Sequence, residues 1–275
     1  MNAEVEKLFT RREMLRLGAG GLLALGLWPG ALRAASKGSS GDFYFLVLND
    51  LHFFDGYCGT WFERAVQQMK KHREKPEFCV LAGDLADQGL PYQLASVRDI
   101  FKKLGIPVFT IPGNHDYVTD DDRRSYEQLF PGRLNYRFDY KGWQFVALDT
   151  TQGLLAFRTR VQSPTLAWLD KTLSQLNRNR PTVILSHFPL GPHIIVRPLN
   201  AEDVLMRFRD YNLQAVFCGH WHGYTERHVA ETTLTTNRCC SFHRDNHDGT
   251  KEKGYFLCRA KDGAISRTFV EVKMI

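Results

Sequence analysis

Short apolar runs alternate with amphipathic stretches through most of this chain. Residues 43–48, 77–82, 106–111, 143–148, 181–185 and 213–218 are apolar and rich in β-branched and aromatic side chains. Runs this short, with no polar alternation, read as strands buried on both faces. Between them, 60–73 places Trp61, Ala65, Val66 and Met69 on one helical face, and 91–104 does the same with Leu94, Val97, Ile100, Phe101 and Leu104. Gly105 stops the second of these. Helices are also predicted over 163–176, with Ser163 as N-cap and Pro164 in the first turn, and over 201–211. The mixed polar stretch 117–134 predicts a helix over a rim. Residues 135–140 and 143–148 predict a hairpin around Lys141-Gly142.

Strand, helix, strand in this order predicts a right-handed parallel α/β sheet. From Tyr224 the pattern changes to β alternation over 224–229, 234–238, 255–259 and 265–272, with a polar, His-rich loop at 241–254 expected to be solvated. No internal repeat or low-complexity block interrupts residues 43–275, which read as one domain.

The first 35 residues do not share this pattern. Arg11-Arg12 precedes a 12-residue apolar run, 17–28, and then small residues up to Ala34-Ala35. A basic segment, a short apolar segment and a small-residue exit form a secretory signal, and the paired arginines resemble the twin-arginine type that exports folded proteins. A cytosolic leader or a membrane anchor are the alternatives. A spanning helix needs roughly 20 residues, and four glycines weaken this run as a permanent helix. The expectation is cleavage near Ala34 or Ala35, a flexible lead-in at 36–42, an exported, periplasmic or extracellular location, the twin-arginine machinery as partner, and no transmembrane helix in the mature chain.

The formal charge of +6 falls to about +4 without residues 1–35, which carry five basic and three acidic side chains. That is too diffuse for a stable nucleic-acid partner and fits a small anionic substrate. Of six cysteines, Cys79 and Cys218 lie within apolar strands and read as small buried hydrophobes. Cys58, Cys239, Cys240 and Cys258 are left open.

The chemistry gathers where strands end. Asp50 and His52 follow the first strand, Asp84 the second, Asn114 the third, His187 the fifth-placed 181–185 run, and His220 with His222 the sixth. In open α/β sheets ligands bind at the carboxyl ends of strands, so these residues are expected along one edge of one sheet. On an extended segment Asp50 and His52 would point the same way. Seven carboxylate, amide and imidazole donors without thiolate suit Mn, Fe, Zn or Co. They are too many for one open catalytic ion and enough for two sharing a bridge.

The motifs D-x-H at Asp50, G-D-x-x-D at Gly83, G-N-H-D at Gly113, the lone His187 before Phe188-Pro189, and G-H-x-H at Gly219 resemble the calcineurin-like metallophosphoesterases, in the branch that holds class III cyclic-nucleotide phosphodiesterases. That resemblance implies an α/β fold, a two-sheet mixed β sandwich flanked by helices. It implies two divalent ions (Mn, Fe or Zn), one held by Asp50, His52, Asp84 and His222 and the other by Asp84, Asn114, His187 and His220. It implies a catalytic His115 oriented by Asp116, and hydrolysis of a phosphomonoester or phosphodiester by a metal-bridging hydroxide. Asp87 stands where purple acid phosphatases carry a metal-binding Tyr, which argues against that subgroup. An inactive binding scaffold of the same fold is the other alternative, and it would be marked by missing ligands.

Overall fold

Alternation along the first strand sets the architecture. In β1 (Phe43–Leu48), Phe43, Phe45 and Val47 enter one buried cluster while Leu46 and Leu48 enter another. A strand that is apolar on both faces needs a layer on each side. The computed structural model describes residues 41–273 and supplies both layers.

After β1 come α1 (Gly56–Lys70), β2 (Phe78–Ala82), α2 (Pro91–Lys102), β3 (Val108–Ile111), a 3-10 turn (Asn114–Asp116) and α3 (Arg124–Leu129). Then follow β4 (Tyr136–Tyr140), β5 (Trp143–Leu148), α4 (Ser163–Leu173), β6 (Thr182–Ser186), α5 (Ala201–Arg207) and β7 (Leu213–Cys218). The chain closes with β8 (Thr225–Val229), β9 (Thr232–Thr236), β10 (Gly254–Lys261) and β11 (Ala264–Glu271).

These strands form two sheets, ordered β11-β10-β1-β2-β3 and β4-β5-β6-β7-β9-β8. Within the first, β1, β2 and β3 run parallel and β10 and β11 antiparallel. Within the second, β5, β6, β7 and β9 run parallel, with β4 and β8 antiparallel at the edges. Phe45, Phe78, Val80, Phe145, Val183 and Phe217 fill the space between the sheets. Phe62, Val66, Leu94 and Phe101 of α1 and α2 cover the outer face of the first sheet. Leu169 and Val204 of α4 and α5 cover the outer face of the second. The fold is an α/β two-sheet mixed sandwich flanked by helices, so the single sheet expected from the strand–helix rhythm is divided into two.

Several local expectations change. The Lys141-Gly142 turn has positive φ at both residues, as a tight hairpin with native twist requires. α1 begins at Gly56 because the Asp55 carboxylate accepts the N–H groups of Tyr57 and Cys58. Only Arg124–Leu129 of the predicted 117–134 helix is helical. Before it, the Asp122 carbonyl accepts from Val118 N and its carboxylate from Arg124 N, holding a turn that competes with helix. Pro131-Gly132 ends it. At α4, Gln162 and not Ser163 holds the cap position. Gly41 and Asp42, expected in a flexible lead-in, are tied to Lys141 O and Arg259.

The six cysteines are all free and buried. The export signal expected at residues 1–35 falls outside the described residues. No helix among the described residues is long and apolar enough to cross a membrane.

Candidate metal centre

The seven expected ligands come together at one end of the sandwich, but from two sheets. Asp50 and His52 follow β1, Asp84 follows β2 and Asn114 follows β3, whereas His187 follows β6 and His220 and His222 follow β7. Five of the seven leave extended backbone to converge. Asp50, His52, Asp84, His220 and His222 all have left-handed conformations, with φ between 44° and 65°. Such geometry costs roughly 1–2 kcal/mol per L-residue and persists only where surroundings over-determine it. Here Asp50 N donates to Gly83 O, and both Leu51 N and His52 N donate to Asp84 O. The paired turns after β1 and β2 therefore hold each other.

Glycine is required at two places. A Cβ on Gly113 would fall inside the Asp84 carboxylate, and one on Gly83, whose φ is +86°, would collide with the His187 imidazole. The G-D and G-N pairs are thus matters of space as much as of turn chemistry.

Asp84 is the common member of two groups. Asp50, His52, Asp84 and His222 bring one donor atom each within 4.8 Å of one another, and Asp84, His187 and His220 do the same. His52 Nε2 lies 3.5 Å from Asp84 Oδ2 and 3.1 Å from His222 Nε2, which is 3.4 Å from Asp50 Oδ1. On the other side His187 Nε2 lies 3.4 Å from Asp84 Oδ2 and 3.3 Å from Asn114 Oδ1. Donors bound at about 2.0–2.2 Å to one ion stand roughly 3.0–3.5 Å apart. The residues fit divalent cations in spacing and in chemistry.

The outer nitrogens settle which imidazole atom faces inward. His187 Nδ1 bonds Ala82 O at 3.0 Å, His222 Nδ1 bonds Asp245 O at 3.1 Å, and His220 Nε2 bonds Ala156 O at 2.8 Å. His52 Nδ1 lies 3.3 Å from Asp87 Oδ1. The three carbonyl bonds each fix a tautomer and leave the other nitrogen for the cluster, as outer partners of metal-binding histidines do, while His52 Nδ1 has only the ion-pair contact with Asp87.

The charge balance has the same meaning. Burial pushes the Asp50 and Asp84 carboxyls up. Nearby imidazoles, His222 and His187 foremost, outweigh that and hold both well below the usual carboxylate range. Burial alone would lower His187, but Asp84 raises it to about 9, and Asp50 raises His222 well above its ordinary value. Burial wins at His52 and His220, each lowered to about 4. Two buried carboxylates are thus matched by protons on two imidazoles, and a cation replaces those protons when it binds.

His115 stands beside the cluster, its ring 4.6 Å from that of His52. Its N–H donates to Asp84 Oδ1, and its Nδ1 bonds Asp87 O at 2.8 Å. The expected Asp116–His115 support is absent. Asp116 Oδ1 accepts from Ala86 N and Oδ2 from Gly113 N, so this carboxylate ties the turn after β2 to the turn after β3. Burial, and then Asp84, raise its pKa to about 7.

The sequence reading missed how much the 241–254 loop contributes. Expected to be solvated, it buries Ser241 and Asn246 and packs on the centre. Arg244 donates from Nε and Nη2 to Asp87 Oδ1, at 3.0 and 2.6 Å. His243 Nε2 is 3.4 Å from the same oxygen, and the His247 ring stacks on His222 at 5.1 Å. Arg238 lies elsewhere, over Phe269. The density of His and Arg in this loop was its only sequence signal.

Residues 43–224 match the calcineurin-like phosphoesterase family. The glycerophosphodiester phosphodiesterase GpdQ of Enterobacter lignolyticus is 26% identical over 62% of this chain and 65% of its own length. A probable cyclic nucleotide phosphodiesterase of Synechococcus is 31% identical over 42% of this chain and 44% of its own. The human serine/threonine-protein phosphatase CPPED1 is 25% identical over 67% and 66% respectively. The chain thus spans less than two thirds of the first two relatives. Among solved structures, a purple acid phosphatase from yellow lupin superposes with a TM-score of 0.64 at 14% identity, over 86% of this chain and 52% of that one. GAP50 of Plasmodium superposes at 0.60, also at 14% identity, over 84% and 85%. The chain belongs to the calcineurin-like phosphoesterase family.

Proposed function

We propose that this protein is a metal-dependent phosphoesterase that hydrolyses a small phosphodiester at a binuclear centre. The observation that carries the reading is the sharing of Asp84 between the Asp50–His52–His222 group and the His187–His220 group. One buried carboxylate facing donors from two sides suits a bridge between two ions. Divalent ions held there by Asp50, His52, Asp84, Asn114, His187, His220 and His222 would lower the pKa of a bound water and offset charge on the phosphoryl oxygens. Mn, Fe or Zn fit the donor set.

The chain's own residues divide the remaining work. Asp50, His52, Asp84 and His222 form the first binding group, and Asp84, Asn114, His187 and His220 the second. His115, with Nδ1 committed to Asp87 O and its ring 4.6 Å from that of His52, keeps Nε2 for a substrate, where it can bind a phosphoryl oxygen or protonate the leaving oxygen. Asp116 keeps the His115 turn in place through Gly113 and Ala86. Asp87 occupies the position that would carry a phenolate ligand in purple acid phosphatases and lies on the outer side of His52, which favours a colourless centre.

The names of two relatives support a diester substrate. All seven candidate ligands are present, which disfavours an inactive scaffold. Hydrolysis of bis-p-nitrophenyl phosphate and p-nitrophenyl phosphate by the Mn-loaded protein tests the class. A higher kcat/KM for the diester is expected, and a preference for the monoester overturns the diester assignment. The reading also includes export through the twin-arginine signal. Replacing Arg11-Arg12 with Lys-Lys should retain the protein in the cytoplasm, and unaltered export would refute that route.

A further inference from the structure

The loop at 241–254 lies beyond the residues matched by the family, yet two of its consecutive residues bear on both histidines of one metal-binding group, Arg244 through Asp87 and Asp245 directly. Arg244 grips Asp87 Oδ1 with two nitrogens, and that oxygen lies 3.3 Å from His52 Nδ1. The next residue, Asp245, supplies the carbonyl bonded to His222 Nδ1. His247 N donates to His222 O, closing the loop on the same residue.

The loop is itself held rigidly. Ser241 Oγ accepts the N–H groups of His243 and Arg244, at 3.3 and 3.1 Å. Asn246 Oδ1 accepts from Cys239 N, and its Nδ2 donates to Thr250 O and Glu252 O. Lys253 donates to Arg244 O and reaches Cys239 Sγ. On the other side of the centre, His187 and His220 take their outer bonds from Ala82 O and Ala156 O, which this loop does not include.

We infer that residues 244–247 act as a strap that orients His52 and His222 and so sets the affinity of one ion without setting that of the other. Arg244 is the positioning residue: it holds Asp87 against His52. This rests on the two-ion reading above. The two ions therefore differ in dependence on this loop, and the Asp50–His52–Asp84–His222 site is the one that loosens when the strap is released.

The test is titration of Zn(II) alone into metal-free protein, against a competing chelator. The proteins are the natural chain, Arg244→Gln, Arg244→Lys, Asp87→Asn and the Arg244→Gln/Asp87→Asn pair. Loss of such outer support weakens metal binding about 10–100-fold. Arg244→Gln and Asp87→Asn should each weaken one of two binding events about tenfold and leave the other unchanged. The pair should be no weaker than Asp87→Asn by more than about twofold, since both act through one contact. Arg244→Lys, which keeps charge but loses the two-nitrogen grip, should lie between.

Natural affinity for both ions in Arg244→Gln overturns the inference, as does equal weakening of both. Unchanged metal binding with a raised KM would make Arg244 a phosphate contact instead. Should Arg244→Gln lose its near-ultraviolet circular dichroism, Arg244→Lys decides on the same readout. A natural chain that binds no Zn(II) refutes the two-ion reading itself, a result distinct from failure of the strap.

Discussion

His222 Nε2 lies 3.1 Å from His52 Nε2, although the residues are 170 positions apart and follow strands of different sheets. Both are buried, and carboxylates of Asp50 and Asp84 adjoin them. A shared cation satisfies all four donors at once. His222→Ala should therefore leave one tightly bound ion of two and lower phosphodiester turnover by more than about a hundredfold. Elemental analysis of the dialysed protein reads the stoichiometry.

Gly113→Ala is expected to disable the centre without touching a ligand. The added methyl would occupy the space of the Asp84 carboxylate. Backbone on either side is pinned by Asp116 and by Asp84 itself, so the clash cannot relax cheaply. Overpacking of this kind costs about 1–3 kcal/mol or more. The melting temperature should fall and metal binding should be lost, while Gly56→Ala, whose Cβ meets nothing within 4 Å and whose backbone is not left-handed, should retain both metals.

Much of this was legible in the sequence because strands buried on two faces leave continuous apolar runs, as at Phe43–Leu48 and Trp143–Leu148, and five of the six such runs before Tyr224 ended on a recognisable donor. Division into two sheets was legible only through the resemblance carried by the motifs, because a βαβ rhythm looks the same whether the next strand joins the old sheet or opens a facing one. The left-handed turns at Asp50 and His52 were hidden too: side chains converge there through φ, not through strand alternation. The role of Arg244 depends on a contact 157 positions away with Asp87, which no local pattern records.

Removal of metal should make the fold sensitive to mild alkali. His187 has a folded pKa of about 9 against an ordinary 6.5. Its contribution is therefore complete below pH 6.5 and lost as pH rises through 9, and His222 acts in the same direction. His52 and His220, lowered to about 4, act only below pH 6.5. Metal-depleted protein should lose up to about 3 kcal/mol between pH 6.5 and 9. Saturating Zn(II) should abolish that loss, because the ion takes the place of the protons. Urea denaturation at the two pH values, with and without Zn(II), measures it.

His115→Ala should retain both ions and lose rate. Its Nδ1 is fixed by Asp87 O, and no group of the two shared-Asp84 clusters includes it. A proton donor contributes about 10²–10⁴-fold, and only where the leaving oxygen needs a proton. The loss should be large for an alkyl phosphodiester and much smaller for bis-p-nitrophenyl phosphate, whose leaving group departs as an anion. Equal losses for both esters would assign His115 to phosphate binding.

With Asp84 as the ligand shared by both groups, hydrolysis should require two ions. Bis-p-nitrophenyl phosphate hydrolysis is followed in metal-depleted protein, then with increasing Mn(II), beside Asn114→Ala. Turnover should be absent without metal, return as two equivalents bind, and stay at least about a hundredfold lower in Asn114→Ala. Full turnover in the metal-depleted protein, or restoration by a single equivalent with Asn114→Ala unaffected, would contradict the account.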